Sequence, residues 1–175
     1  MVLAVAAAAI LGAYVGQMTL NEHARNLSLA IHDANRVMEQ IRQQNASCVG
    51  NPSVIPPGGA GTSWNTWMNA GNPGAPKSLQ PSGDTNERLV VTCQDRDGAV
   101  YCDGTQVGNE WHAKGGAPQN PLRVTVAVCW RHRNRTIGEC GWTGGALTAS
   151  PATDANGNGV IESPAMLTTL VTCRG

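Results

Sequence analysis

MVLAVAAAAILGAYVGQMTL, residues 1–20, contains no charged residue and no proline. A helix that is apolar on all sides must be surrounded by apolar material, either lipid or other helices. About twenty helical residues extend over roughly 30 Å, which matches the hydrocarbon core of a bilayer. We therefore predict a transmembrane or assembly helix whose contacts are made by its large apolar side chains: Val2, Leu3, Val5, Ile10, Leu11, Tyr14, Val15, Met18 and Leu20.

The same helix is predicted to continue, because NEHARNLSLAIHDANRVMEQIRQQN (residues 21–45) follows without a turn signal. Its apolar residues recur at steps of four and three, the spacing of one stripe along a helix. This stripe is expected to contact the rest of the protein through Ala24, Leu27, Ile31, Ala34, Met38 and Ile41. A solvated face with ion pairs at three-residue spacing is expected from Glu22, Arg25, Asp33, Arg36, Glu39 and Arg42.

Two other interpretations of the apolar stretch stay open. A cleaved signal peptide begins with basic residues and ends at a small-residue cleavage site. Here no Lys or Arg precedes Arg25, so that interpretation is the weaker one. An ordinary single-pass membrane anchor satisfies the same hydropathy argument and is the stronger alternative.

The composition limits both the partners and the core of the protein. The chain has 12 basic and 12 acidic residues, which gives no electrostatic basis for binding nucleic acid. We predict an N-terminal helix over residues 1–47 and one small head domain over residues 48–175. The head contains no Phe, and the chain has 21 Gly and 10 Pro, so its hydrophobic core must be modest.

Covalent support is expected from the six cysteines, which are spread through the head without any CxxC pair. The histidines also lack the spacing of a zinc site, so disulfides in an oxidising compartment are the better interpretation. Cys93 and Cys102 flank a predicted hairpin and are the best single guess for a pair. The sequence leaves the pairing open among Cys48, Cys93, Cys102, Cys129, Cys140 and Cys173.

Residues 48–87 are rich in Gly, Pro, Asn and Ser and are predicted to form a long loop. Trp64, Trp67 and Met68 are expected to fix this loop to the core, because large aromatic side chains usually become buried. The alternative is a loop that exposes the two tryptophans to bind a sugar or a partner protein.

The rest of the head, residues 88–175, is predicted to form a small antiparallel sheet. A hairpin turns at Asp97-Gly98. The clearest strand is LRVTVAVCW, whose apolar face requires a cover, and the striped half of the helix is the expected one. The fold class is therefore α+β, with strands predicted at 88–93, 99–102, 122–130, 136–142 and 166–173.

One segment carries possible metal chemistry. In TDANGNGVIES the oxygen-bearing side chains alternate, and glycine permits the sharp turn of a calcium-binding loop. The fit is partial, because the last ligand position of a twelve-residue loop falls on Ala165. The tentative ligands are Asp154, Asn156, Asn158, the carbonyl of Val160, and Glu162; a simple Asn/Gly turn is the alternative.

The sequence shows no catalytic constellation. It contains no GxSxG, no HExxH and no glycine loop that would cradle a phosphate ahead of a helix. The basic run WRHRNR (residues 130–135) is interpreted as the end of a strand and a turn. We predict a protein that is not an enzyme and that requires no cofactor, apart from a possible structural Ca²⁺.

The order of these segments resembles the type IV pilin superfamily. ANRVMEQIRQQN at the end of the helix is similar to the corresponding segment of minor pilins and of type II secretion pseudopilins. LRVTVAVCWR is similar to their central strand, and NGNGVIESPAMLTTLVTCR to their last loop and strand. The sequence departs from the pilin pattern at one point. Mature pilins usually carry a glutamate near the position of Val5, whereas here no carboxylate precedes Glu22.

The resemblance implies a structural subunit of an extracellular filament that polymerises through its apolar helix. Its partners would be copies of itself or other pilins, and its location the inner membrane followed by a cell-surface pilus or a periplasmic pseudopilus. A type II secretion pseudopilin and a membrane-anchored periplasmic binding module are the alternatives. The binding module would require exposed loop tryptophans. The resemblance does not separate a role in adhesion from one in motility.

Overall fold

The computed structural model of the protein describes residues 2–57, 63–72, 74, 76–79, 86–94, 96, 100–102, 120–149 and 152–174, without the side chains of 2, 3 and 100–102. The predicted turn at Asp97-Gly98 lies outside these residues, as does the segment 103–119. The described residues form one long helix, one short helix and seven strands. The predicted α+β class is confirmed.

The first helix, α1, spans Val2–Asn45 as one continuous element of 44 residues. It contains no proline, and its two glycines, Gly12 and Gly16, are accommodated within it. Its end is fixed by Asn45, whose Nδ2 donates to the carbonyl oxygens of Ile41 and Ser53, both at 2.7 Å. The predicted continuity of the apolar and striped halves is confirmed.

Strand β3, Leu122–His132, is the centre of an antiparallel sheet. On one side it pairs with β1, Glu87–Gln94, which in turn pairs with β2, Val100–Cys102. On its other side, Leu122 to Val128 pair with β7, Ala165–Val171, and Trp130 to His132 pair with β4, Arg135–Ile137. A separate hairpin consists of β5, Gly141–Thr143, and β6, Ala146–Thr148.

The predicted strand 136–142 is wrong, because this segment contributes to two different sheets. Gly138 ends the first part with a φ of +95°, and a Cβ at this position would lie 2.9 Å from Sγ of Cys129. The chain therefore turns at a residue that only glycine satisfies without strain. The other strand predictions are confirmed with boundaries that differ by one or two residues.

One face of the sheet is covered by α1, and part of the other face is covered by loops and the β5–β6 hairpin. The alternate residues of β3 face α1, and Leu122, Val124 and Val126 are completely buried there with Ile41 and Val37. This confirms that α1 covers the apolar face. The opposite face carries a second, smaller core, which is built from Val90, Ala127, Cys129, Leu147, Ala149 and Ile161.

The buried stripe of α1 begins further along the helix than predicted. Ala24 is exposed, and Leu27 and Ile31 are only partly buried. Full burial starts at Ala30 and continues through Ala34, Val37, Met38 and Ile41. The prediction for Ala24 is wrong, because the contact between α1 and the head begins only after this residue.

The predicted loop 48–87 contains a short helix, α2, at Trp64–Asn69. Ser63 caps it by accepting a hydrogen bond from the backbone N–H of Thr66 at 3.1 Å. Trp64, Trp67 and Met68 are buried, and the two indole rings make an edge-to-face contact with centroids 5.2 Å apart. The prediction that these residues fix the loop to the core is confirmed.

Two disulfides join described cysteines, Cys48–Cys173 and Cys129–Cys140. The first connects the end of α1 to the segment after β7, where Val49 and Arg174 also form a parallel bridge. The predicted Cys93–Cys102 pair is not tested, since the side chain of Cys102 lies outside the described residues. In the strand register Cys93 lies opposite Tyr101 and Cys102 opposite Thr92, so the two cysteines occupy adjacent rather than opposite positions.

Candidate functional site: the exposed half of α1 and the polar groups beneath the head

The first half of α1 extends away from the head. From Ala4 to Met18 every residue is exposed, and the large apolar side chains are exposed by 55 to 69%: Val5, Ile10, Leu11, Tyr14, Val15, Met18 and Leu20. Among the predicted assembly residues, only the side chains of Val2 and Leu3 lie outside the described part. Exposed apolar surface on this scale marks a site of contact with protein or lipid.

Polar contacts mark the place where the head first reaches the helix. Glu22 accepts a hydrogen bond from Nη2 of Arg133 at 3.2 Å, and Thr19 Oγ1 accepts one from Nη1 at 3.1 Å. Asn26 lies 3.4 Å from Nδ1 of His132. Arg133 and Asn134 have φ values of +46° and +65°, which close the two-residue turn between β3 and β4. These groups form a polar collar, defined here as Thr19, Glu22, Asn26, His132 and Arg133.

The collar divides α1 into two segments that differ in burial and polarity. Before it, the helix is long and apolar enough to cross a membrane, by length and composition only. A signal sequence or the core helix of a soluble protein satisfies the same criterion, but the apolar window of this helix is not buried in the chain. After the collar, the helix belongs to the core of the head. Glu22, the first carboxylate of α1, is engaged by the collar.

The charged face of α1 is not entirely solvated, as it was predicted to be. Asp33 is completely buried and accepts hydrogen bonds from the backbone N–H and the hydroxyl of Ser78. Arg36 contacts Asp33 at 3.2 Å and donates to the carbonyls of Asn72 and Pro76 at 3.1 Å each. The pair Asp33–Arg36 therefore holds the long loop against the helix. The second predicted pair, Glu39–Arg42, is present at 3.6 Å and exposed.

A second buried polar group lies next to Asp33. Lys77 is completely buried, and its Nζ donates to Asn65 Oδ1 at 3.0 Å and to the backbone carbonyl of Glu87 at 2.7 Å. Asn65 belongs to α2, and Glu87 is the first residue of β1. Burial raises the pKa of the Glu87 carboxyl to about 8, assisted by the negative charge of Asp33 and opposed by Lys77.

The tentative calcium ligands converge in one loop. Both oxygens of Asp154 accept backbone N–H groups, from Gly157 at 2.9 Å and from Gly159 at 2.8 Å. Asn156 and Asn158 accept the N–H groups two residues further on, at 2.9 and 2.7 Å. Their amide nitrogens both donate to Glu162 Oε1, at 3.0 and 3.1 Å. The loop is thus closed by its own hydrogen bonds.

The fit of a cation to this loop is partial. Each amide oxygen that accepts one N–H retains a second lone pair for a cation, as hard oxygen ligands of Ca²⁺ do. Asp154 and Glu162 are its only carboxylates, however, and in the described part of the chain no three His, Cys, Asp or Glu side chains lie together as a metal-binding group. Ile161 is completely buried and anchors the loop in the second core.

An open cleft of about 430 Å³ lies beside this loop on the outer face of the sheet. Its lining is a mixture of polar and apolar side chains without a nucleophile next to a base: Gln94, Arg123, Thr125, Asn158, Val160, Met166 and Thr168. The cleft therefore suggests no reaction.

Comparison with known proteins gives no match: no family model, no curated protein and no solved structure matches this chain.

Sequence reasoning missed the buried group of Asn65, Lys77 and Glu87. These three residues are separated by up to 22 positions in a stretch dominated by Gly, Pro and Asn, so no periodicity relates them. The only signal was the rarity of lysine, since Lys77 and Lys114 are the two lysines of the chain.

Proposed function

We propose that this chain is a structural subunit of a type IV pilus-like filament, which polymerises through the apolar half of α1. The observation that carries the proposal is the division of α1 at the polar collar. One half of a continuous helix is apolar and exposed on every side, and the other half is the core of a disulfide-linked head. A subunit of this kind needs apolar material around the first half of its helix while its head stays in water.

A membrane and a filament both provide such surroundings. The apolar half is held in the inner membrane before assembly and is transferred to a bundle of neighbouring helices afterwards. Both environments are apolar, so the transfer does not expose the segment to water. Because contacts between one subunit and the next are asymmetric, they repeat without closing and generate an open helical filament.

The alternatives differ in what the head does. A type II secretion pseudopilin would assemble through the same helix but remain periplasmic. A membrane-anchored binding module receives no support from the loop tryptophans, because Trp64 and Trp67 are buried. A catalytic head is also without support from the described clefts and side chains.

The proposal includes a structural Ca²⁺ in the loop 154–162. Its support is the order of the oxygen ligands and the turn geometry at Gly157 and Gly159, with φ values of +68° and +78°. Asp154, Asn156, Asn158, Glu162 and the carbonyl of Val160 would hold the ion, which would neutralise the two carboxylates and stiffen the loop.

A variant that separates a filament subunit from an anchor is Gly12→Leu combined with Gly16→Leu. A Cβ at either glycine meets nothing within 4 Å in the single chain, so the head and the helix should tolerate the change. The segment becomes more hydrophobic, which preserves membrane insertion, whereas added bulk obstructs close approach between helices. We expect the variant in the membrane fraction at normal amounts, with at least a tenfold loss of material released by shearing the cells.

Val15→Leu is the matched control, because Val15 is exposed on the same half of α1 and changes little in volume. It should release normal amounts of filament. Equal release from the glycine variant and from the wild type would argue against tight packing of α1 in an assembly. If the wild type releases no chain at all, the single-pass anchor becomes the better interpretation.

A further inference from the structure

The buried group of Asn65, Lys77 and Glu87 places an amine beside a side-chain amide. Nζ of Lys77 lies 3.0 Å from Oδ1 of Asn65, and neither side chain has appreciable contact with solvent. Since a C=O bond measures about 1.23 Å, Nζ is no further than about 4.2 Å from the amide carbon of Asn65. Reacting atoms lie roughly 3–3.5 Å apart, so a movement of about 1 Å brings the amine within reach of the amide carbon.

The amide of Asn65 is polarised by a second donor. The backbone N–H of Leu89 donates to the same Oδ1 at 3.0 Å. This N–H belongs to β1 and is held in place by the sheet, so it needs no reorganisation. A fixed donor on a carbonyl oxygen stabilises the negative charge that develops when the carbon is attacked.

The carboxyl of Glu87 is close enough to the amine for the charge of Lys77 to act on it. Glu87 is completely buried, and its backbone carbonyl accepts from Nζ of Lys77 at 2.7 Å. Leu79 N–H donates to Oε2 of the carboxyl at 3.2 Å, whereas Oε1 accepts from no described residue. Burial raises the pKa of this carboxyl to about 8, and this favours passage of a proton from the Lys77 ammonium to the Glu87 carboxylate. Such a group can donate and recover a proton near neutral pH.

We propose that Lys77 and Asn65 join in an intramolecular isopeptide bond, with Glu87 as the proton carrier. The Lys77 ammonium first transfers a proton to the carboxylate of Glu87. The neutral Nζ then attacks the side-chain carbon of Asn65 and forms the new N–C bond. The bond to Nδ2 breaks, protons from Nζ and Glu87 pass to the departing nitrogen, and it leaves as ammonium. Glu87 ends in its starting state, and no oxidant, reductant or cofactor is required.

The bond would have a clear structural effect. It would link α2 directly to the segment before β1 and so close the long loop on the head. It would also replace a buried cation by a neutral amide, which removes the unfavourable burial of a charged group. This inference concerns the head alone, so its outcome does not depend on how α1 assembles.

The test is a mass measurement on the purified full-length chain after complete reduction of the disulfides. Loss of ammonia lowers the mass by about 17 Da relative to the sequence. Trypsin normally cleaves after Arg42, Lys77 and Arg88, which yields peptides 43–77 and 78–88. Because a bonded Lys77 is not cleaved, we expect one peptide, 43–88, that is about 17 Da lighter than its sequence, with the cross-link assigned by fragmentation.

Variants distinguish the bond from other losses of ammonia. Lys77→Arg and Glu87→Gln should both restore the full mass, and circular dichroism should report whether each variant folds. Lys114→Arg is the matched control, because it removes the other lysine, and it should keep the mass loss.

Several results would overturn the proposal. One is a wild-type chain of full mass that trypsin cleaves after Lys77. Another is a mass loss assigned to a succinimide at Asn156-Gly157 instead of to Lys77 and Asn65. The third is a folded Glu87→Gln variant that forms the bond as completely as the wild type, which would reject the role of Glu87. The first result needs no variant to fold.

Discussion

At the scale of single residues, the head depends on ionisable groups that are removed from water. Asp33, Lys77 and Glu87 are each completely buried. A buried charge is tolerated only when hydrogen bonds or an opposite charge compensate for lost hydration. Asp33 has Ser78 and Arg36, and Lys77 has Asn65 and a backbone carbonyl. The stability of the head should therefore depend on pH.

The sign of that dependence follows from Glu87. Its pKa is raised to about 8 in the folded chain, against an ordinary value of 4.5 for an exposed carboxyl. The folded state therefore retains a proton that the unfolded state releases between these values. We expect the free energy of unfolding to fall as pH rises from about 5 to 8, by at most about 1.4 kcal/mol per pH unit.

Glu87→Gln removes this titration while keeping the shape of the side chain. Urea unfolding at pH 5, 6, 7 and 8 measures the free energy of unfolding of both proteins. Because both contain the same histidines, the difference between the two pH profiles reports Glu87. The expected result is a shallower pH profile for the variant. Parallel profiles would show that Glu87 titrates normally in the folded protein.

The loop 154–162 gives a second prediction at this scale. Asp154→Ala removes two acceptors of backbone N–H groups, so it should destabilise the loop with or without metal. The informative quantity is therefore the difference in melting temperature between samples with Ca²⁺ and samples with a chelator. We expect a rise for the wild type and none for the variant, and a smaller rise from Mg²⁺ than from Ca²⁺ in the wild type. If Ca²⁺ does not raise the melting temperature of the wild type, the loop is only a turn.

At the scale of elements, the two disulfides between described cysteines should differ in how much they stabilise the head. The Cys48–Cys173 bond closes a loop of 125 residues, which restricts the unfolded chain by about 5 kcal/mol in the chain-entropy model. The Cys129–Cys140 bond closes only 11 residues, for about 3 kcal/mol. The first bond also fixes the end of α1 to the segment that follows the last strand.

Paired substitutions test this ranking. Cys48→Ser with Cys173→Ser should lower the free energy of unfolding more than Cys129→Ala with Cys140→Ala, by about 2 kcal/mol. Chemical denaturation in detergent under non-reducing conditions measures both. Because Cys129 is buried, a larger loss from the second pair would mean that packing of the small core outweighs chain entropy.

The two halves of α1 should also respond differently to the same kind of truncation. Ile41→Ala creates a cavity between α1 and β3 and should cost about 2 to 4 kcal/mol of head stability. Leu20→Ala removes an exposed side chain and should leave head stability unchanged. Thermal unfolding followed by tryptophan fluorescence separates them, since Trp64, Trp67 and Trp130 are buried in the head. Equal losses would mean that the apolar half is part of the folded core.

Local patterns predicted α1 and the central strand, because helical and strand periods are properties of neighbouring residues. The second core was missed because it joins Ala127 of β3 to Leu147 and Ile161, which no period connects. The burial of Asp33 was missed for the same reason, since its partner Ser78 lies 45 positions away. The candidate assembly surface was predictable because it is one continuous apolar segment.

At the scale of the whole molecule, the chain is a helix of 44 residues with a head on its second half. The polar collar at Glu22 and Arg133 separates the exposed apolar half of α1 from the half that packs against the sheet. In a filament, α1 would lie at the centre and the heads would form the outer surface. The long loop and the loop 154–162 would then face solvent or the neighbouring heads.

Electron microscopy of material sheared from cells, labelled with an antibody against the head, tests this account most directly. We expect thin filaments that carry the label along their length, with helical density at the centre that accommodates residues 2–26. Confinement of the chain to the membrane fraction, as a monomer in detergent and without labelled filaments, would contradict the account.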